Sequence, residues 1–120
     1  MAKRLCITID GMAYHAVMQD NPPAEAIAAM CPFTVSFTRS GDHEYYSSLT
    51  KKVTAKDSPS TTKGHRNGLY YFEGWNAVSF VFKDCDTAPY QINHIGDFEE
   101  DVSAALEKAG KTVKVTCEAE

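Results

Sequence analysis

The 120-residue sequence predicts a mainly β single domain, a small closed barrel with two short helices over its open ends. Three observations support this. Apolar and polar residues alternate over short runs, at the two-residue period of a half-buried strand. Turn formers such as Asp10-Gly11 and Gly41-Asp42 separate those runs. Only two stretches, 21–31 and 97–109, combine capping residues with apolar groups at helical spacing.

Residues 4–18, RLCITIDGMAYHAVM, read as a hairpin, with Asp10-Gly11 suited to the positive φ angles of a type I′ turn. Asn21 is placed to cap a helix and Pro22 fits its first position. Ala24 to Met30 favour that helix, and Pro32 ends it. Phe33, Val35 and Phe37 then alternate with Thr34, Ser36 and Thr38, which predicts a strand with the first set inward. Residues 44–49 resume as a strand. Residues 50–67 hold few apolar groups and many turn formers, so a long surface loop is expected there. A second hairpin follows from Gly68, turning near Glu73-Gly74-Trp75-Asn76.

Residues 89–95, PYQINHI, read as one more strand, with Tyr90, Ile92 and His94 on one face and Ile95 breaking the alternation at its end. Asp97 lies three residues before Glu100, the spacing of a capping box. Phe98, Val102, Ala105, Leu106 and Ala109 recur at helical spacing, and Gly110 follows as a terminator. The acidic run after His94 is thereby assigned to helix chemistry, without a ligand. Residues 111–118 close the chain as an alternating strand.

Hydrophobic residues make up 43% and charged residues 23%, ordinary for a globular protein, and the length suits one core. A formal net charge of −4 predicts no general affinity for nucleic acid. No apolar run approaches the roughly 20 residues of a membrane span, and the N-terminus lacks a signal peptide's apolar region. A cytoplasmic location is the expectation. Cys6, Cys31, Cys85 and Cys117 are widely spaced and read as reduced thiols. Strand parity puts Cys6 and Cys117 on opposite faces, which forbids a bridge between them.

The segment 7–31 resembles the opening of cyclophilins: a hairpin through an Asp-Gly turn, a second strand, a proline, then a helix with Ala-Glu near its start. The closer similarity is to small bacterial and archaeal cyclophilin-like proteins. It runs through Asp20-Asn21 before the helix and Cys31-Pro32-Phe33-Thr34-Val35 entering the next strand. It continues through the hairpin from Gly68 to Asp84, the segment Tyr90 to Gly96, and a late helix before a valine-rich strand. The resemblance covers nearly the whole chain and implies a cyclophilin-type barrel of about eight strands. It does not carry catalysis. Prolyl-isomerising cyclophilins place an arginine beside an aromatic in a Phe-His-Arg-Val-type strand, with Phe-x-Met-x-Gly-Gly-like residues after it. Here Arg39 follows Thr38 at a strand end, and SGDHEYYSSL stands where the second motif is expected.

The chemical residues give no known constellation. The spacing from Cys85 to His94 fits no common zinc finger, and no metal or cofactor site is expected. No phosphate-binding glycine loop and no Gly-x-Ser-x-Gly elbow occurs. Each tyrosine pair, Tyr45-Tyr46 and Tyr70-Tyr71, should send one ring to each face of its strand. His15, His43 and His65 are read as isolated, and Trp75 as a cover over the barrel mouth. Lys51, Lys52, Lys56, Lys63 and Arg66 against Asp57 make the 50–67 loop basic. The expected function is a non-enzymatic module that binds a small molecule or peptide through Tyr46, Arg66, Tyr90 and His94. The rivals are a prolyl isomerase with a rearranged site and a subunit that works by oligomerising through Trp75 or an open barrel edge.

Overall fold

The computed structural model describes residues 3–56 and 58–120. Among the described residues ten strands form: β1 (Arg4–Ile9), β2 (Met12–Met18), β3 (Phe33–Ser40), β4 (Glu44–Ser48), β5 (Lys63–Gly64), β6 (Gly68–Phe72), β7 (Ala77–Val81), β8 (Cys85–Asp86), β9 (Asn93–Phe98) and β10 (Thr112–Ala119). Two helices, α1 (Pro22–Ala29) and α2 (Ser103–Lys108), interrupt them. Eight strands close an antiparallel barrel in the order β1-β10-β3-β4-β7-β6-β9-β2. β5 and β8 pair separately as a small flap. Closure leaves the barrel itself no free edge, so an open edge is not available for association. No helix of the described residues is long and apolar enough to cross a membrane.

The first hairpin forms as its sequence requires, with Asp10 at φ 48° and Gly11 at φ 88°. β1 and β10 pair with Ile7 opposite Cys117 and Cys6 opposite Glu118, so Cys117 enters the core while Cys6 faces outward. The cysteines described are free. Asn21 caps α1, its side chain accepting from the Ala24 N–H at 3.0 Å. Ala24, Ile27 and Ala28 of that helix join the main core. β10 runs antiparallel to β3, with Thr112 opposite Thr38 and Cys117 opposite Phe33. The helices preceding those two strands therefore close opposite ends of the barrel.

Inside, Phe37 stacks on Phe80 at 4.3 Å between centroids, and Phe98 meets Phe80 edge-on at 5.2 Å. β3 sends Phe33, Val35 and Phe37 inward, as its alternation predicts. Tyr45 is inside while Tyr46 is outside. Tyr71 is inside too, but its neighbour Tyr70 is also buried, in a second small cluster with Val81 and Ile92 on the outer wall.

Arg39 has a structural task. Its guanidinium donates to the Leu106 and Glu107 carbonyls at the end of α2 (3.2 and 3.1 Å) and lies 4.8 Å from the Phe82 ring centroid. Cationic donors there satisfy carbonyls that the helix leaves open and complement its dipole.

Four expectations need correction. The second helix does not begin at Asp97; Phe98 is still strand, and α2 starts at Ser103 with Asp101 accepting from the Ser103 N–H at 3.0 Å. Asp97 and Glu100 form no capping box. Residues 89–92 are not strand: Tyr90 sits in a turn, and Ile92 makes only an isolated bridge to Thr61. The 50–67 segment is not wholly surface loop, because it contains β5 and buries Val53 in the main core. Asp57, read as that loop's single acid, lies outside the described residues.

Asn76 holds Val53 in place. It follows the 3-10 turn Glu73–Trp75 at φ 50°, a left-handed conformation that asparagine tolerates. Its side chain donates to Lys51 O at 2.8 Å and accepts from the Val53 N–H at 3.1 Å. The Tyr71 hydroxyl lies 2.6 Å from both Val53 O and Asn76 Oδ1, and its one proton serves one of them at a time. Asn76→Ala is expected to lower stability by about 2 kcal/mol, from lost hydrogen bonds and a strained φ. Asn76→Gly is expected to lose about 1 kcal/mol less, since glycine accepts the backbone conformation. Urea titration of the two variants checks this, and equal losses would show that φ is not part of the effect.

Candidate functional site

The inward–outward division of β7 makes an outer cleft. Val78, Phe80 and Phe82 fill the barrel, which leaves Ala77, Ser79 and Val81 on the outer wall. Two of those three are small. β4 and β6 flank them with Glu44, Tyr70 and Phe72. The flap and the turn after it, with Cys85, Thr87, Tyr90 and Ile92, lean over this surface. The result is a cavity of about 230 Å³ on the outside of the barrel.

Its walls are aromatic and its floor has one polar point. Trp75 is 58% exposed and Tyr90 63% exposed, and both line the cavity. Phe72 meets Trp75 edge-on at 5.5 Å and Tyr90 at 5.9 Å, so the three rings form one rim. Trp75 is not a barrel cover; it stands outside, with Tyr46 at 5.5 Å behind it. On the floor, the Ser79 hydroxyl donates to Glu44 Oε1 at 2.7 Å, and Glu44 Oε2 lies 2.7 Å from His43 Nε2. The order is hydroxyl, carboxylate, imidazole. The imidazole contacts the carboxylate and not the hydroxyl, so the arrangement differs from a serine paired directly with a histidine.

Burial acts on two ionisable lining groups. It pushes the Tyr70 phenol up, opposed by the His65 backbone N–H that donates to it. It also pushes the Cys85 thiol up, and the Glu44 carboxylate adds to that.

The four residues expected to bind a ligand do not converge. Tyr90 lines the cleft, and Tyr46 backs its rim. Arg66 is exposed on the far side of the flap, beside Lys83 and Asp84, with its backbone N–H donating to Asp84 at 2.8 Å. His94 belongs to a different group. Its Nε2 lies 3.0 Å from Asp97 Oδ1, which also sits 2.6 Å from His65 Nε2. His65 is therefore not isolated, and neither is His15, which pairs with Glu100 at 2.8 Å. The sequence reading missed Phe72, Trp75 and Glu44 as lining. The small outward residues Ala77 and Ser79 opposite large inward ones were the available signal.

Residues 7–118 match the model of the cyclophilin-like family. The chain belongs to that family. Its fold is also similar to the solution structure of a hypothetical protein from Archaeoglobus fulgidus, at TM-score 0.77 and 19% identity. The match covers 99% of this chain and 95% of that one. At that identity the likeness speaks for the fold alone. A comparison with curated proteins returns no match.

The cysteines of this cyclophilin-like protein are set apart by burial. The Cys117 thiol is pushed up to about 12 by desolvation in the barrel core. An acid whose folded pKa exceeds its unfolded value stabilises the fold at low pH and loses that contribution as pH rises. Stability is thus expected to fall as pH climbs from 9.0 towards about 12, because the unfolded chain releases a proton that native Cys117 keeps. Urea titrations across this window check it, with Cys117→Ala expected to flatten the slope. An unchanged slope in the variant would assign the alkaline loss to other groups.

Proposed function

We propose that the protein is a non-enzymatic binding module whose outer cleft takes a small molecule or one side chain of a peptide. The cleft itself carries the reading: three rings around a cavity with a single carboxylate–hydroxyl pair on its floor. Pockets for drug-sized ligands start at about 300 Å³. At about 230 Å³ this one suits a single ring with a short tail. The Glu44 carboxylate favours a cationic or donor head group on that tail. Tyr46 and Tyr90 belong to this reading of the site, whereas Arg66 and His94 stand outside the cleft.

Family membership makes prolyl isomerisation the activity to exclude. Arg39, the arginine at a strand end that invites comparison, is engaged with the end of α2. A protease-coupled proline-peptide assay is expected to give the uncatalysed rate, and a clear acceleration would replace the binding reading with an enzymatic one.

The binding test uses two probes with the same ring, short tails and opposite charge, phenethylamine and hydrocinnamate. Trp75 is the only tryptophan of the chain, so its fluorescence reports occupancy of the rim. Phenethylamine is expected to bind with a Kd of about 1 mM or tighter and hydrocinnamate more weakly. Ser79→Phe fills the floor and should abolish the response, while Arg66→Ala should leave it intact. Silence from both probes, together with native mass spectrometry that finds no retained small molecule, would overturn the reading.

A further inference from the structure

On the other side of Tyr70 from the cleft, three side chains bring metal-ligand atoms together. The donor atoms of His65, His94 and Asp97 all lie within 4.8 Å of one another. We propose that His65, His94 and Asp97 form a binding site for a divalent first-row transition-metal ion, with open positions for water or an exogenous ligand.

Strand geometry is arranged to make this convergence. In a regular strand, residues three apart point to opposite faces. Across β6, however, Leu69 pairs with Gly96 and Tyr70 with His94, so Ile95 is an extra residue in β9. That bulge resets the alternation, and His94 and Asp97 both face outward while Ile95 and Phe98 stay in the core. His65 approaches from the segment after β5. Its ring lies against Gly68, where an added Cβ would come within 3.1 Å of His65 Nε2 and 2.6 Å of the Tyr70 ring.

The second ring nitrogen of His65 is already committed. Nδ1 lies 2.8 Å from the Tyr70 hydroxyl, and that same oxygen accepts the His65 backbone N–H at 3.0 Å. A ligating histidine ordinarily has its other nitrogen held in this way, which fixes the ring and leaves Nε2 for the metal. His94 is steadied through its backbone carbonyl, which accepts from Asn21 Nδ2 at 3.0 Å.

The donor set is two imidazoles and one carboxylate, which suits zinc and its first-row neighbours over calcium or magnesium. Without the ion, the spacings of 2.6 and 3.0 Å to Asp97 Oδ1 are those of hydrogen bonds. Metal bonds of about 2.0–2.1 Å in a tetrahedron put ligand atoms about 3.3 Å apart. Along these two contacts entry of the ion asks for an opening of less than about 1 Å, and the ion takes the place of the Nε2 protons, which leave to solvent from an imidazolium or move to Nδ1 of a neutral ring. The side chains are accessible enough for entry, at 52% exposure for His65, 42% for Asp97 and 29% for His94.

Cys6, His15 and Glu120 also lie close together and provide the internal control. There the ring is shared between two carboxylates, and Glu120 is bound to Arg4 at 2.8 Å. The test is calorimetric titration of the whole protein with Zn²⁺ alone in a non-coordinating buffer at neutral pH. One saturable equivalent is expected. His94→Ala and Asp97→Asn should each weaken it about tenfold or more, and Tyr70→Phe by a smaller factor through His65. His15→Ala should leave it unchanged. Circular dichroism checks that the variants are folded, and His65→Ala, at an exposed position, serves if His94→Ala is not. Absence of a saturable equivalent would overturn the proposal, as would binding that survives in the His65 and His94 variants or is lost with His15→Ala.

Discussion

The bulge at Ile95 sets which side chains of β9 enter the barrel. β9 joins β6 to β2 in the closed ring. It has to bury both Ile95 and Phe98, which are three apart and would face opposite ways in a regular strand. One extra residue resolves the conflict, and the flanking Gly96 lets β2 approach. A Cβ at Gly96 would lie 2.9 Å from both Met18 Sδ and Val17 O. The same device that puts two apolar side chains inside puts His94 and Asp97 together outside. Core packing and the His–Asp group are thus two consequences of one backbone irregularity.

The middle of this eight-stranded barrel is filled by side chains, Phe37, Phe80 and Phe98 among them. Its outer wall is partly covered. Here the covering is the flap of β5 and β8 with the turn that follows, seated on a satellite cluster of Tyr70, Val81 and Ile92. Gly64 lets the two flap strands pair closely, since a Cβ there would come within 2.9 Å of Cys85 Sγ. The cavity exists because β7 presents alanine and serine where its inward positions carry valine and phenylalanine.

Much of this was legible in the sequence. The Asp10-Gly11 hairpin, the Asn21 cap and the alternation of β3 are local signals, and the fold obeys them because each is satisfied by residues close in the chain. The acidic run was misread for the opposite reason. Asp97, Glu99, Glu100 and Asp101 look alike in sequence, yet each has a different partner: His65 and His94, Arg4, His15, and the first turn of α2. Three of those four pairings are made wholly or partly with residues distant in sequence, so no window around residue 97 could show them. The break in alternation at Ile95 was visible, but a bulge and a strand end look the same until the partner strand is known. The flap was hidden likewise, since two-residue strands carry no period.

Tyr70 is the residue on which the two outer sites meet. Its ring lines the cleft, and its hydroxyl holds His65. The ring is almost fully buried, between Val81 and Ile92 on one side and the imidazoles of His65 and His94 at 5.6 and 5.2 Å on the other. Its hydroxyl is fixed by two contacts to one residue, which removes the rotational freedom a pocket wall would need in order to swing. A side chain so held is a partition and not a gate. The cleft is apolar with one acidic point, and the imidazole group beyond it is polar and open to solvent. Each therefore keeps its own chemistry although their nearest atoms belong to a single ring.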